Sequence, residues 1–265
     1  MNDESLLKGA SPDIICSCLS SGKWQNTPTA VPREMALTIY VDTQELVTIL
    51  CTPTKLNCLV LGFLHSEGII TNMSDVASMR ICEEESLADI KLSKPGFKPP
   101  PGRTLASGCG GGVTFATEKH KVQSGRAVKG DEGLSLMKEL NEQAELYKYC
   151  GGVHTSALGD NSTLLVVAED IGRHNTLDKI MGECLLRKLS TRDKVLITTG
   201  RISSEMLGKA ASMMTPIVVS RSSPTDHAIA LAKDLGITLI GYVRGNRLSV
   251  YSHEERVQGA LVKEN

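Results

Sequence analysis

The sequence predicts an α/β protein: a C-terminal three-layer unit on a mixed, mostly parallel sheet, preceded by a smaller α+β unit. Three observations lead there. From Thr163 onward, short runs rich in β-branched residues alternate with segments whose apolar residues recur at helical spacing, the pattern of right-handed βαβ crossovers. Upstream, between Met35 and Leu92, strand-like segments surround one buried helix instead. Between Lys94 and Gly130 the chain holds eight Gly and four Pro. No regular element of any length fits there, and long structureless connections are usually functional or disordered. The division falls at this segment, with residues 1–130 as one unit and 131–265 as the other.

Taken in order, the first thirty residues are polar and turn-rich and read as a loose arm. Residues 35–50 alternate partly and read as strands joined near Asp42-Thr43. Residues 58–64 read as a buried helix ending near Gly68, followed by strands at 77–82 and 87–92. A helix is expected over 133–147, with Leu136, Leu140 and Tyr147 among its apolar positions. A strand at 163–168 leads to a helix marked by Leu177, Ile180, Met181, Cys184, Leu185 and Leu189. Strands at 194–199, 216–220 and 238–243 then alternate with helices at 203–214 and 225–235. A last strand, 248–252, follows a Gly245-Asn246 turn and is expected to be antiparallel.

Composition narrows the function classes. With 41% hydrophobic and 22% charged residues and a net charge of −1, the chain is globular and is not held to DNA or RNA by bulk charge. Aromatic residues at 3% are too few for a platform that stacks successive bases. The acidic start, Met1-Asn2-Asp3-Glu4-Ser5, has no apolar run behind it and is not a signal peptide. Residues 58–64, the longest strongly apolar stretch, are too short to cross a bilayer. Eight cysteines without repeated spacing read as reduced thiols in the cytoplasm. Cys51, Cys58 and Cys184 read as core residues, and Cys16-Ser17-Cys18 is a weak zinc pattern.

Ligands of an open parallel sheet sit at the carboxyl ends of its strands, and here each exit carries arginine. The exits are Gly172-Arg173-His174-Asn175, Gly200-Arg201-Ile202-Ser203, Arg221-Ser222-Ser223-Pro224 and Arg244-Gly245-Asn246-Arg247. Three lead into helix N-termini, and guanidinium forks with free N–H groups hold phosphates. The alternative is that arginines simply favour exposed loops. Neither a Walker loop nor a G-x-G-x-x-G follows a strand, so ordinary ATP or dinucleotide modes are not expected. His154 suits catalysis, a metal or a structural hydrogen bond. A nucleobase deaminase would need H-x-E and P-C-x-x-C, but Ser156 stands where the Glu belongs, so no zinc is expected. Asp170 and His174 could pair for catalysis or form a local cap. The last feature is Cys109, between Gly108 and Gly110-Gly111-Gly112. A thiolate that visits two partners needs exposure and a movable backbone; the plain alternative is an incidental cysteine in a turn.

Together these motifs resemble the FdhD/NarQ family. The stretches that carry the resemblance run from Leu61-Gly62-Phe63-Leu64-His65-Ser66-Glu67-Gly68 through Ser107-Gly108-Cys109-Gly110 and Gly151-Gly152-Val153-His154. They continue through Glu169-Asp170-Ile171-Gly172-Arg173-His174-Asn175, Leu177-Asp178-Lys179 and Gly200-Arg201-Ile202-Ser203-Ser204-Glu205-Met206 to Gly241-Tyr242-Val243-Arg244-Gly245-Asn246-Arg247. The resemblance implies a fold like that of cytidine deaminases without their zinc. It implies a sulfurtransferase that takes sulfane sulfur from a cysteine desulfurase as a persulfide on Cys109. The recipient would be the molybdenum (or tungsten) bis-molybdopterin guanine dinucleotide cofactor, bound as substrate, for the catalytic subunit of formate dehydrogenase. Tyr242, Val243, Arg244, Gly245, Asn246 and Arg247 map to the family's cofactor-binding stretch; Arg173, His174, Arg201 and Arg221 join them as the other strand exits. A homodimer is an allowed assembly, and neither nucleic acid nor membrane is expected as a partner. Many members carry C-x-x-C in the loop, whereas Gly112 replaces the second cysteine here. A chaperone that only holds the cofactor, and a deaminase-type hydrolase using His154, are the alternatives.

Overall fold

The computed structural model describes residues 8–94, 96–98, 104–105, 113–114, 121–160 and 163–261. It opens with a hairpin of β1 (Ala10–Ser20) and β2 (Lys23–Pro32), where the sequence reading expected a loose arm. Ser21 and Gly22 turn it at φ 50° and 78°, the positive values that two-residue hairpin turns require. Its polar composition reflects exposure rather than missing structure. Only the root is packed, with Ala10 buried against Leu146 and Val153, while Ile15, Leu19 and Trp24 face solvent.

Next, β3 (Met35–Val41) and β4 (Gln44–Cys51) meet at Asp42-Thr43, again at positive φ. With β5 (Val76–Cys82) and β6 (Leu87–Leu92) they form a sheet of order β4-β3-β6-β5. Helix α1 (Leu56–Ser66) packs on it, and Leu37, Ile39, Leu61 and Leu64 share one core. Two short strands follow, β7 (Thr104–Leu105) and β8 (Val113–Thr114). Farther on, β9 (Val128–Lys129) runs parallel to β16 (Val257–Gln258).

The single helix expected over 133–147 is two, α2 (Gly130–Gln143) and α3 (Glu145–Cys150), broken at Ala144 with ψ 69°. The break has a cause downstream. The Glu169 carboxylate accepts from the N–H groups of Leu146 and Tyr147 at 2.8 and 3.0 Å, capping a new helix start.

The main sheet has six strands in the order β11-β10-β12-β13-β14-β15. They are β10 (His154–Asp160), β11 (Thr163–Asp170), β12 (Val195–Thr198), β13 (Ile217–Ser220), β14 (Thr238–Arg244) and β15 (Arg247–Ser252). Strand β10 was not expected, and it lies antiparallel to both neighbours; only β12, β13 and β14 pair in parallel. Thr155, Ser156, Ala157 and Gly159 give β10 no apolar alternation, yet Ser156 and Ala157 are wholly buried. Because β10 runs backwards, β11 still points the same way as β12–β14, and their carboxyl ends share one edge. Helices α4 (Arg173–Arg187), α5 (Ser204–Ser212) and α6 (Asp226–Leu235) cover one face and α2 the other. Leu196, Val218 and Leu239 point to the first core, Ile197, Val219 and Ile240 to the second. Burial of both faces explains why these strands read as continuous apolar runs. No helix among the described residues is long and apolar enough to cross a membrane.

The N-terminal sheet is tied to this unit where α1 crosses α4. A Cβ on Gly62 would stand 1.8 Å from the Asp178 carbonyl oxygen, and one on Gly182 1.9 Å from that of Cys58. Two helix backbones touch there through glycine alone. Gly62→Ala and Gly182→Ala should each therefore destabilise the fold by about 2 kcal/mol or more, the cost of forcing atoms into a packed contact. Urea titrations read this, and unchanged midpoints would show that the crossing can yield.

Candidate functional site

Behind the common edge of β11–β14 lies a buried charged platform. Asp170 ends β11 and sits 2.6 Å from Lys179 of α4, both wholly buried. Asp170 also accepts from the N–H groups of Thr52 and Gly172 and from Asn175 Nδ2. Lys179 donates to the carbonyls of Thr52 and Glu169 and to Thr54 Oγ1. Of the two roles open to Asp170, the cap is the one built; its partners are Lys179 and Asn175, not His174. A second buried pair joins Lys209 of α5 to Asp178 at 2.7 and 2.8 Å, with Ser66 of α1 donating to the same carboxylate. Burial pushes the Asp178 carboxyl up, against the pull of Lys209.

His174 turns instead toward Glu205, 3.3 Å away. Burial, with Lys209, Arg173 and His154 nearby, pushes its imidazole down to about 3, so the ring is neutral at ordinary pH. His154 and His65 are lowered too, chiefly by burial.

On the α2 side of the same edge the surface opens into a groove of two joined cavities, about 310 and 800 Å³. His154, Thr155 and Thr199 line the smaller, and Val243, Gly245 and Asn246 the larger. Arg221 and Arg244 line both, and Arg244 is steadied by donating from Nε to the Arg221 carbonyl at 3.2 Å. Lys138 and Lys148 add two cations from the helical wall, and among the described residues no carboxylate lines the groove. The helical wall carried no signal of its own in the sequence, because Lys138 on α2 and Lys148 on α3 read as ordinary solvated helix positions.

The arginine exits are thus divided. Arg173 is buried at the start of α4, and Arg201 and Arg247 are exposed outside the groove lining. Tyr242, at φ 52° within a β14 irregularity, is exposed and also outside it. The helix N-termini expected to supply N–H groups do not line the groove either. Ser203 and Thr225 cap α5 and α6 with their own hydroxyls, on the opposite face of the sheet.

Cys109 lies outside the described residues. Of the other thiols, Cys51, Cys58 and Cys184 are buried, and burial pushes them up to about 12, 11 and 12. Cys16 and Cys18 are exposed on β1.

Residues 32–258 match the model of the FdhD/NarQ family. The chain belongs to that family. It is 39% identical over 246 residues to a sulfur carrier protein FdhD of Geobacillus kaustophilus, covering 89% of this chain and 93% of that protein. A sulfur carrier protein FdhD of Staphylococcus aureus is 39% identical over 244 residues, covering 89% and 92%. A crystal structure provisionally assigned as a formate dehydrogenase accessory protein of Desulfotalea psychrophila superposes with a TM-score of 0.79 at 25% identity, covering 94% of this chain and 99% of that one.

The lowered histidines set a pH dependence. The unfolded chain takes up protons on them as pH falls below about 6.5, while folded His174 resists until about 3, so stability present above 6.5 is lost on acidification. Urea unfolding at pH 7.5 and 5 should show lower stability at pH 5, with a smaller difference in His174→Asn. An equal difference in that variant would remove His174 from the cause.

Proposed function

We propose that this chain is a sulfur carrier of formate dehydrogenase maturation that loads Cys109 and holds its acceptor in the basic groove. The thiolate of Cys109 attacks the outer sulfur of a cysteine desulfurase persulfide. A new Cys109 S–S bond forms, the donor's S–S bond breaks, and the desulfurase thiolate leaves. The Cys109 S–S bond then breaks, the Cys109 thiolate leaves, and the outer sulfur passes at the sulfane level to the molybdenum (or tungsten) bis-molybdopterin guanine dinucleotide. That substrate is destined for the catalytic subunit of formate dehydrogenase, and its reduced metal would supply the two electrons that make the sulfur a sulfido ligand. The reading includes a cytoplasmic location, the division into residues 1–130 and 131–265, and a fold like that of cytidine deaminases for the second part.

One observation carries the reading: a groove at the strand ends, lined by Lys138, Lys148, Arg221 and Arg244 without a described carboxylate. That is a site for a multiply charged anion, and the cofactor's two diphosphates are such an anion. The hydrolase alternative is disfavoured by Ser156, whose buried hydroxyl is 2.7 Å from that of Thr176 and donates to that of Thr198 at 2.8 Å.

Cys109→Ser should abolish formate dehydrogenase maturation, and single changes of the other seven cysteines should leave it largely intact. Mass spectrometry after incubation with a desulfurase and cysteine should find the added sulfur on Cys109. Persulfide on another cysteine would overturn the monothiol relay, while a cofactor-binding protein that never loads sulfur would be a chaperone.

GDP, standing for half of the cofactor, should bind and should weaken with salt. Arg221→Ala and Arg244→Ala should each cost about 1.5–3 kcal/mol, and Arg247→Ala, outside the lining, much less. Calorimetry showing equal affinity in the Arg221 and Arg244 variants would remove the groove from the reading.

A further inference from the structure

Four residues line both cavities of the groove and so form its neck: Arg221 and Arg244 on the sheet wall, Asn141 and Tyr147 on the helical wall. We infer that this neck reads a purine nucleotide: Tyr147 stacks the base, Asn141 accepts from its amino group, and the arginines hold the diphosphate. The inference rests on the nucleotide reading above and adds to it the residues that recognise the base.

Tyr147 is the aromatic side chain of the described lining besides the His154 imidazole, and it is 46% exposed. An exposed tyrosine on a six-residue helix would ordinarily be poorly fixed. Here its backbone is held from behind. Its N–H and that of Leu146 both bond the buried Glu169 carboxylate, and Leu146 is fully buried beside it. The carboxylate that caps α3 thus also fixes the backbone that carries this surface ring. Tyr149, equally exposed, is outside the lining, so the placement concerns residue 147 and not the helix at large. A tyrosine face accepts any base by stacking, and the facing guanidiniums suit the phosphates attached to it.

Asn141 supplies the discriminating atom. Its Nδ2 donates to the Met137 carbonyl at 2.8 Å, which commits the amide nitrogen and leaves Oδ1 as an acceptor. With no described carboxylate in the lining, Oδ1 is the side-chain carbonyl at the neck that can take a hydrogen bond from a purine amino group. Guanine carries that group at position 2, and hypoxanthine differs from it by that group alone.

Calorimetry on the full chain with GDP, IDP and pyrophosphate tests this. Wild type should bind GDP more tightly than pyrophosphate, and more tightly than IDP by about five-fold, one hydrogen bond's worth. Tyr147→Ala should weaken GDP about ten-fold or more without changing pyrophosphate, and Tyr147→Phe should stay near wild type. Asn141→Ala should bring the GDP to IDP ratio close to one. Unchanged pyrophosphate binding also certifies that each variant is folded. Pyrophosphate binding as tightly as GDP, or GDP binding equally to wild type and Tyr147→Ala, would overturn the base reading while leaving the anion groove. Failure of wild type to bind either ligand would overturn the nucleotide reading and this inference together.

Discussion

The contact between Asp170 and Lys179 is the constraint on which the sheet edge depends. Two wholly buried charges 2.6 Å apart are tolerable only when their remaining hydrogen-bonding capacity is also met. Here it is met by groups from three places. Thr52 and Thr54 come from the connection between β4 and α1, Glu169 and Gly172 from the end of β11, and Asn175 from α4. Removing either charge would strand the other and loosen all three segments at once. The direction of α4, the seat of the N-terminal sheet and the exit of β11 are therefore a single structural decision.

That decision propagates to the groove through one residue. Glu169 precedes Asp170, and its side chain points to the other side of the strand, where it caps α3 and also accepts from Thr155 Oγ1. Burial pushes its carboxyl up, while the N–H donors of Leu146 and Tyr147 and the Thr155 hydroxyl pull it down. Adjacent residues on a strand face opposite ways, so neighbouring carboxylates serve the two layers separately. Asp170 holds the α4 side, and Glu169 places the helical wall of the groove. In the motif Glu169-Asp170-Ile171-Gly172-Arg173-His174-Asn175 the sequence leaves Asp170 and His174 open between catalysis and a local cap, and the contacts of Glu169 and Asp170 here frame the site.

The parts of the fold that announce themselves in the sequence are those whose local chemistry is sufficient. The Gly245-Asn246 turn, with Gly245 at φ 55°, and the strand-helix alternation after Thr163 are of that kind. The rest needed tertiary information. Strand β10 is assembled from small and hydroxylated residues that become strand only because β11 and β12 flank them. Helix α2 ends at Ala144 because of a carboxylate at position 169, beyond any local window. The β1–β2 hairpin has the right turn but little packed face to reveal it. The arginine pattern points to the edge at which the groove opens, yet it could not tell which exits open toward α2. Arg221 and Arg244 do, whereas Arg173 enters α4 and is covered. The lysines at 138 and 148 were illegible because charge on an amphipathic helix usually means only solvent.

Burial also sorts the thiols. A sulfur carrier with many cysteines risks loading the wrong one, and reactivity follows the thiolate fraction. Cys51, Cys58 and Cys184 sit among the side chains that cement α1, β4 and α4 together, and the same desolvation that lets them pack raises them to about 11 or 12. At neutral pH almost none of each is ionised, and none faces solvent. Selectivity for a loop cysteine therefore needs no special suppression elsewhere. Cys82 and Cys150 are half-buried, and Cys16 and Cys18 are exposed on the β1–β2 hairpin. In the proposed relay the acceptor would lie in the groove at the edge of the six-stranded sheet, whereas the strand that carries Cys16 and Cys18 is held by its own ladder to β2.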